Sequence, residues 1–276
     1  MEALDIYKII KGEQKVKVIT PDEIEELRES LLPLIGVQFS VLSIPEEILI
    51  GFEPSQVGTL VGTLMDACIP LLPKMPTTTG ELPDVGLSKH EGILGEREGY
   101  PDYLHKSGKR LELKLLYVDN PNIKMKKPPT PREPSARLTQ KVTLKNVIPE
   151  LDVLMVIAYS LEKNLRNPSL YSPTIKDIGL FPVFDCIVAR DKRMIKSGGR
   201  WFGNYETPTI LSKIGKKILK ENGVLDTTAY GRKESEGRHF NEDTNFGKLK
   251  RIPYKPLQDF LKKHIGAIEI DDESDE

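Results

Sequence analysis

Thiol and imidazole chemistry is scarce in this chain, which has two cysteines, four histidines and one tryptophan among 276 residues. No Cys/His spacing forms a zinc-ligand set, and four histidines are too few for a His-rich metal centre. Cys68 and Cys186 lie in separate apolar runs and read as buried thiols in a reducing cytosol. No run reads as a membrane span, and the opening Met1-Glu2-Ala3-Leu4-Asp5 has no signal-peptide character. The expectation is a cytoplasmic protein with no membrane partner. P-loops, dinucleotide fingerprints and serine-nucleophile elbows are missing as well. Gly92-Ile93-Leu94-Gly95 lacks their required neighbours, so no nucleotide cofactor is expected.

What is present is charge. The formal net charge of −1 conceals an asymmetry, because six acids (Glu269, Asp271, Asp272, Glu273, Asp275 and Glu276) sit in the last eight residues. Without them the balance is +5. A mildly basic body, residues 1–268, is expected to form one domain with long loops. Residues 269–276 are expected to be a disordered acidic tail.

Thr20-Pro21-Asp22-Glu23 carries a capping Thr, a first-turn Pro and a capping-box Glu, and predicts a helix running to about Leu32. Residues 37–42 and 48–50 predict short strands. A second helix begins near Pro54, with Val57, Leu60, Val61, Leu64, Met65 and Cys68 as its apolar face and Gly58 and Gly62 allowing close packing. Residues 72–100 and 119–137 read as long loops. The apolar run 152–160 predicts a central buried strand, and residues 181–189 predict another. A helix over 208–221 stops at Asn222-Gly223, and a short helix over 256–264 closes the chain. This order implies an α/β protein with a mixed central sheet flanked by helices.

The most informative segment is 101–118. Lys106-Ser107-Gly108-Lys109 is a turn, and the runs on either side can pair as an antiparallel hairpin. Alternation along the second run puts Glu112 and Lys114 on one face and Leu111, Leu113 and Leu115 on the other. Leu116 and Val118 follow on the Glu112 face, so that face is not freely solvated along its length. Folding the hairpin returns Asp102 beside Glu112 and Lys114. Two carboxylates and a main-chain carbonyl suffice for Mg²⁺, a hard cation that keeps several waters. Asp102, Glu112 and the carbonyl of Leu113 are therefore the expected metal ligands. Lys114 would orient a water and stabilise charge on a phosphate. His105 falls on the opposite face and reads as structural.

The run Pro101-Asp102…Glu112-Leu113-Lys114 resembles the active-site signature of the PD-(D/E)xK nuclease superfamily, in particular its type II restriction endonucleases. The resemblance covers about a fifth of the chain. It implies a hairpin at the edge of a mixed sheet in a restriction-endonuclease-like core. It also implies Mg²⁺ on Asp102 and Glu112, assistance by Lys114, and cleavage leaving 5′-phosphates. Many members add an acid on a preceding helix; Glu91, Glu96 and Glu98 are candidates that spacing does not separate. Pro21-Asp22 belongs to a helix cap, and Pro83-Asp84 has no acid-x-Lys within hairpin reach.

Lys124, Lys126, Lys127, Arg132, Arg137, Lys141 and Lys145 lie in a segment with one acid, Glu133. They suit a DNA backbone, or equally a solvated linker. Arg190, Lys192, Arg193, Lys196 and Arg200, with glycines and Trp201, form a second basic segment. It reads as a groove-entering loop in which Arg200 reads guanine, or as a surface loop anchored by the tryptophan. Residues 231–251 fit base reading or a dimer contact. The expected function is a Mg²⁺-dependent, sequence-specific endonuclease of double-stranded DNA acting as a homodimer. Its rivals are a structure-specific repair nuclease or junction resolvase, and a non-catalytic nucleic-acid-binding protein.

Overall fold

The computed structural model describes residues 8–10, 12–74, 84–90, 100–126, 136–138, 142, 144, 146–196 and 247–266. Its centre is strand β5 (Asp152–Lys163), whose first ten residues are all buried. The run 153–161 is apolar in every position but Ser160, as a strand packed on both faces requires. Alternate side chains serve two separate cores: Val153, Met155, Ile157, Tyr159 and Leu161 enter one, and Leu154, Val156 and Ala158 the other. Each fully buried Val, Ile or Leu contributes roughly 1.5–3 kcal/mol.

Around β5 stand β1 (Ile44–Pro45), β2 (Leu87–Lys89), β3 (Tyr103–His105), β4 (Arg110–Tyr117) and β6 (Leu170–Pro182). They form one six-stranded sheet in the order β1-β6-β5-β4-β3-β2. Only the β4–β5 pairing is parallel, so the sheet is mixed. Helices α1 (Pro21–Leu31) and α2 (Pro54–Cys68) pack into the first core. Helices α3 (Val183–Lys196) and α4 (Lys255–Ile265) pack into the second, over β5 and β6. The α/β class and the mixed sheet between helices follow the sequence reading.

Helix α1 starts as its residues dictate. The Glu23 N–H donates to Thr20 Oγ1 and the Thr20 N–H to Glu23 Oε2, a complete capping box. The same Glu23 accepts from Lys109 Nζ at 2.6 Å, tying the helix to the hairpin turn. That lysine, with Thr20, holds the Glu23 carboxyl down at about 2. In the turn, Gly108 has φ +82°, where a Cβ would be strained. His105 is buried, with Nδ1 at Ser107 Oγ and Nε2 between the Val85 carbonyl and Ser30 Oγ. Its role is structural, on the face opposite Asp102.

Several expectations are corrected. Residues 181–189 are not a strand. β6 ends at Pro182, and Val183, Phe184, Ile187, Arg190 and Asp191 are buried at helical spacing on α3. In 37–50, only Ile44–Pro45 is strand; a 3₁₀ turn (Ser40–Leu42) and a helical turn (Glu46–Leu49) replace the others. The segment 72–100, expected to be all loop, contributes β2, so β3 and β4 do not form the sheet edge. On α2, Val57, Val61 and Met65 are buried, but Leu60 is 54% exposed and Leu64 points outward as well. The Tyr159 hydroxyl donates to the Gly58 carbonyl, and Leu115 and Tyr159 lie near Gly62 at distances a Cβ would meet as ordinary contacts, so the packing there does not depend on glycine. Pro54–Leu72, 19 residues of mean hydropathy 1.3, is long and apolar enough to cross a membrane by length and composition. The sequence reading had excluded any such run; here its inner side forms core. Both cysteines are free. The closing helix falls where expected. The 208–221 helix, Trp201, the acidic tail and the acids Glu91, Glu96 and Glu98 lie outside the described residues.

Candidate active site

Antiparallel pairing of β3 with β4 sets Tyr103 opposite Leu111, both in the first core. The next position therefore sets Asp102 opposite Glu112 on the other face. β3 begins only at Tyr103, which leaves the Leu113 N–H outside the β3–β4 ladder. The Asp102 carboxylate accepts that hydrogen, Oδ2 lying 2.7 Å from the amide nitrogen. Since N–H and C=O of one strand residue point the same way, the Leu113 carbonyl faces the same gap.

Lys114 fills it. Its ammonium donates to Glu112 Oε1 at 2.7 Å and to the Leu113 carbonyl at 2.8 Å, and lies 3.7 Å from Asp102 Oδ2. The three oxygens expected to hold a cation thus converge on one positive charge. Asp102 is 28% and Lys114 17% exposed by side chain, so the group opens to solvent. Glu112 itself is only 5% exposed. Burial pushes its carboxyl up to about 7; Lys114 opposes this, and the charge of the nearby Asp102 carboxylate adds to it.

Along the same face, Arg110 precedes Glu112 and pairs in register with Asp152. The Tyr100 hydroxyl (2.6 Å) and the Ile148 N–H (2.9 Å) donate to Asp152 Oδ2. Arg110 Nε stands 2.9 Å from Oδ1, an ion pair too poorly aligned to be a hydrogen bond. The Arg110 cation lies over the Tyr100 ring. Burial raises the pKa of Asp152 and of Tyr100.

Among the described residues, Glu112 Oε2, His90 Nδ1, Arg110 Nε, Asp152 Oδ1 and Gln258 Oε1 are buried without a hydrogen-bond partner. Arg110 Nε and Asp152 Oδ1 face each other in their ion pair, which leaves Glu112 Oε2 and His90 Nδ1 as the atoms of this patch with no partner of either kind. Folded proteins satisfy nearly all such atoms, and the exceptions gather at functional sites or where an ion or water belongs. His90 was missed from the sequence, because its separation from the hairpin fixes no register there.

The donor set fits a hard divalent cation: two carboxylates, a carbonyl, and an unpartnered oxygen on Glu112. Among the described residues no group of three or more His, Cys, Asp or Glu could hold a metal. The fit therefore rests on two carboxylates and one main-chain oxygen. Asp84, in the discarded Pro-Asp pair, accepts the Gly86 N–H and caps a turn.

The basic segments divide. Lys124 and Lys126 are exposed. Arg137 is half-buried in an isolated bridge with Lys248. Arg193 donates to the Arg251 carbonyl at 2.8 Å, and Arg190 is fully buried, bonded to Asp191 and to the carbonyls of Leu138 and Val142. Both arginines hold the second core together, which removes them from an open basic loop. Lys127, Arg132, Lys141, Lys145 and Arg200 lie outside the described residues, as does the Lys196 side chain. No family model, curated protein or solved structure matches the chain.

Proposed function

We propose that the protein is a Mg²⁺-dependent, sequence-specific endonuclease of double-stranded DNA, of the type II restriction kind, with a restriction-endonuclease-like core. The observation that carries this reading is the convergence of Asp102 Oδ2, Glu112 Oε1 and the Leu113 carbonyl on the Lys114 ammonium. Three oxygens directed at one cation are what phosphoryl chemistry asks of a protein that must gather positive charge beside a phosphodiester. A homodimer cutting a two-fold symmetric site completes the proposal, since each copy then serves one strand.

Mg²⁺ bound at these oxygens would supply charge to a phosphate oxygen and lower the pKa of a bound water. The chain's own residues do the rest. Asp102 is oriented by the Leu113 N–H, so one main-chain segment fixes both a carboxylate and a carbonyl ligand. Glu112 must be ionised to bind a cation, and its burial sets that ionisation near pH 7. Lys114, relieved of neutralising the carboxylates, swings its ammonium to the attacking water and the phosphate. Arg110, Asp152 and Tyr100 brace the start of β4 and keep Glu112 in place.

Incubation of the protein with unmethylated phage DNA and Mg²⁺, beside Lys114→Ala and an EDTA control, tests the reading. Discrete fragments lost in both controls are the expected result. Cutting confined to branched DNA would replace the reading with the repair nuclease. Binding without cleavage in any condition would replace it with the non-catalytic binding protein.

A further inference from the structure

The register that joins Asp102 to Glu112 continues across one more strand. Lys89 pairs with Tyr103, so His90 stands opposite Asp102, and its N–H donates to the Asp102 carbonyl at 3.1 Å. Directly opposed residues share a sheet face, with Cβ atoms roughly 4.5–5.5 Å apart. The neighbour Lys89 confirms the alternation, since its ammonium binds Asp66 on the α2 side. His90, Asp102 and Glu112 thus form a row across three strands on one face. Both ends of the row carry a buried atom without a partner, His90 Nδ1 and Glu112 Oε2. Buried His105 has both ring nitrogens bonded, and half-buried His264 binds Asp177, so among the described histidines His90 stands apart.

We propose that His90 is a further substrate-contacting residue, its imidazole hydrogen-bonding a phosphate oxygen of the DNA strand held at Asp102 and Glu112. The proposal rests on the nuclease reading and extends it. A ligand role is disfavoured, because the described residues offer no group of three side chains able to hold a metal. Two strand spacings, about 10 Å, separate His90 from Glu112. That places the imidazole within reach of the same phosphate backbone. The residue is half-buried, and the N–H of a neutral imidazole donates to such an oxygen without a change of charge.

The test is binding of a fluorescent DNA duplex in Ca²⁺, a hard cation taking the same oxygen ligands. Anisotropy would be followed for the wild type, His90→Ala, His90→Phe, His90→Gln and Asp102→Asn, with Ca²⁺ binding alone measured by calorimetry and folding by thermal melting. The expected result is Ca²⁺-dependent DNA binding weakened about tenfold in the Ala and Phe variants and largely restored by Gln, which keeps a donor. Ca²⁺ affinity without DNA stays unchanged. Wild-type binding by His90→Ala and His90→Phe, while Asp102→Asn loses its Ca²⁺-dependent part, would overturn the proposal and leave the nuclease reading standing. Loss of Ca²⁺ affinity in His90→Ala would make His90 a ligand and overturn it as well. No Ca²⁺-dependent DNA binding in the wild type would end both.

Discussion

Two carboxylates in this fold are largely closed to solvent and behave oppositely. Asp177 on β6 is 7% exposed, and both its oxygens are used. Oδ1 accepts the Ile178 N–H at 2.9 Å, and Oδ2 accepts Lys263 at 2.6 Å with His264 at 3.0 Å. Burial pushes its pKa up, but these donors outweigh that and hold it below the usual carboxylate range. Glu112 on β4 has a lysine on one oxygen and nothing on the other, and its pKa rises to about 7. Glu112 lies deeper and lacks a donor on one oxygen, and both differences push its pKa up relative to Asp177. Asp177 is finished by the protein and fastens α4 to the sheet. Glu112 is left incomplete beside a second acid, the arrangement of a group that awaits a cation.

Exchange of each acid for its amide breaks the comparison most sharply. Glu112→Gln is expected to lower Mg²⁺-dependent cleavage by about 10³-fold or more, as Asp102→Asn and Lys114→Ala should. Asp177→Asn should stay within about threefold of the wild-type rate, being remote from the site. Initial rates on one plasmid substrate check all four. Stability should move the other way. Asp177→Ala removes a carboxylate carrying three donors and is expected to destabilise by roughly 1–3 kcal/mol in urea unfolding at pH 7. Glu112→Gln is expected to stabilise the metal-free protein above pH 7, by roughly 1–2 kcal/mol.

The sign of that last effect follows from linkage. The folded Glu112 carboxyl titrates near 7 and the unfolded one near 4.5. Between those values the folded state holds more protons, so stability falls as pH rises through the window. Asp177 has the reverse sign: its contribution is present above the unfolded value of 3.8 and is lost as pH falls through its lower folded value. Urea unfolding of the metal-free protein from pH 3 to 8, beside each amide variant, separates the two. Metal affinity should climb with pH through about 7 in the wild type, a trend calorimetry reads directly. The smallest effect belongs to the exposed lysines. Lys124→Ala and Lys126→Ala should each shift stability by less than about 0.5 kcal/mol. Where either contacts a phosphate, it should lower the salt slope of DNA binding by about one.

The parts of the fold legible in the sequence are those set by near neighbours. The α1 capping box needs only Thr20 and Glu23. The hairpin needs only a glycine turn and two short flanking runs, and it carried Asp102, Glu112 and Lys114 together. Where the reading failed, a distant partner decided. Pro173 makes β6 look broken, yet its carbonyl accepts the Phe39 N–H on the side away from β5. The missing N–H faces that side too, so no bond to β5 is lost. Residues 181–189 are apolar enough for a strand, but Pro182 ends β6 and the burial of Val183, Ile187 and Arg190 follows a helical period. Leu60 and Leu64 match the period of the α2 core face, yet the helix buries Val57, Val61, Gly62 and Met65 instead.

Sequence by itself determined the α/β class, the central strand, the hairpin and the three polar side chains on one strand face. Each of these depends on alternation, capping or turn chemistry within about 15 residues. Tertiary structure decided which residues complete that face and how they ionise. The pairing of His90 with Asp102 joins residues whose separation in sequence fixes no register. The burial that lifts Glu112, and the bonds from Lys263 and His264 that lower Asp177, come from chain segments brought together only by folding. Hydrogen-bond partners and solvent exclusion are three-dimensional properties, and it is they that set the two acids apart.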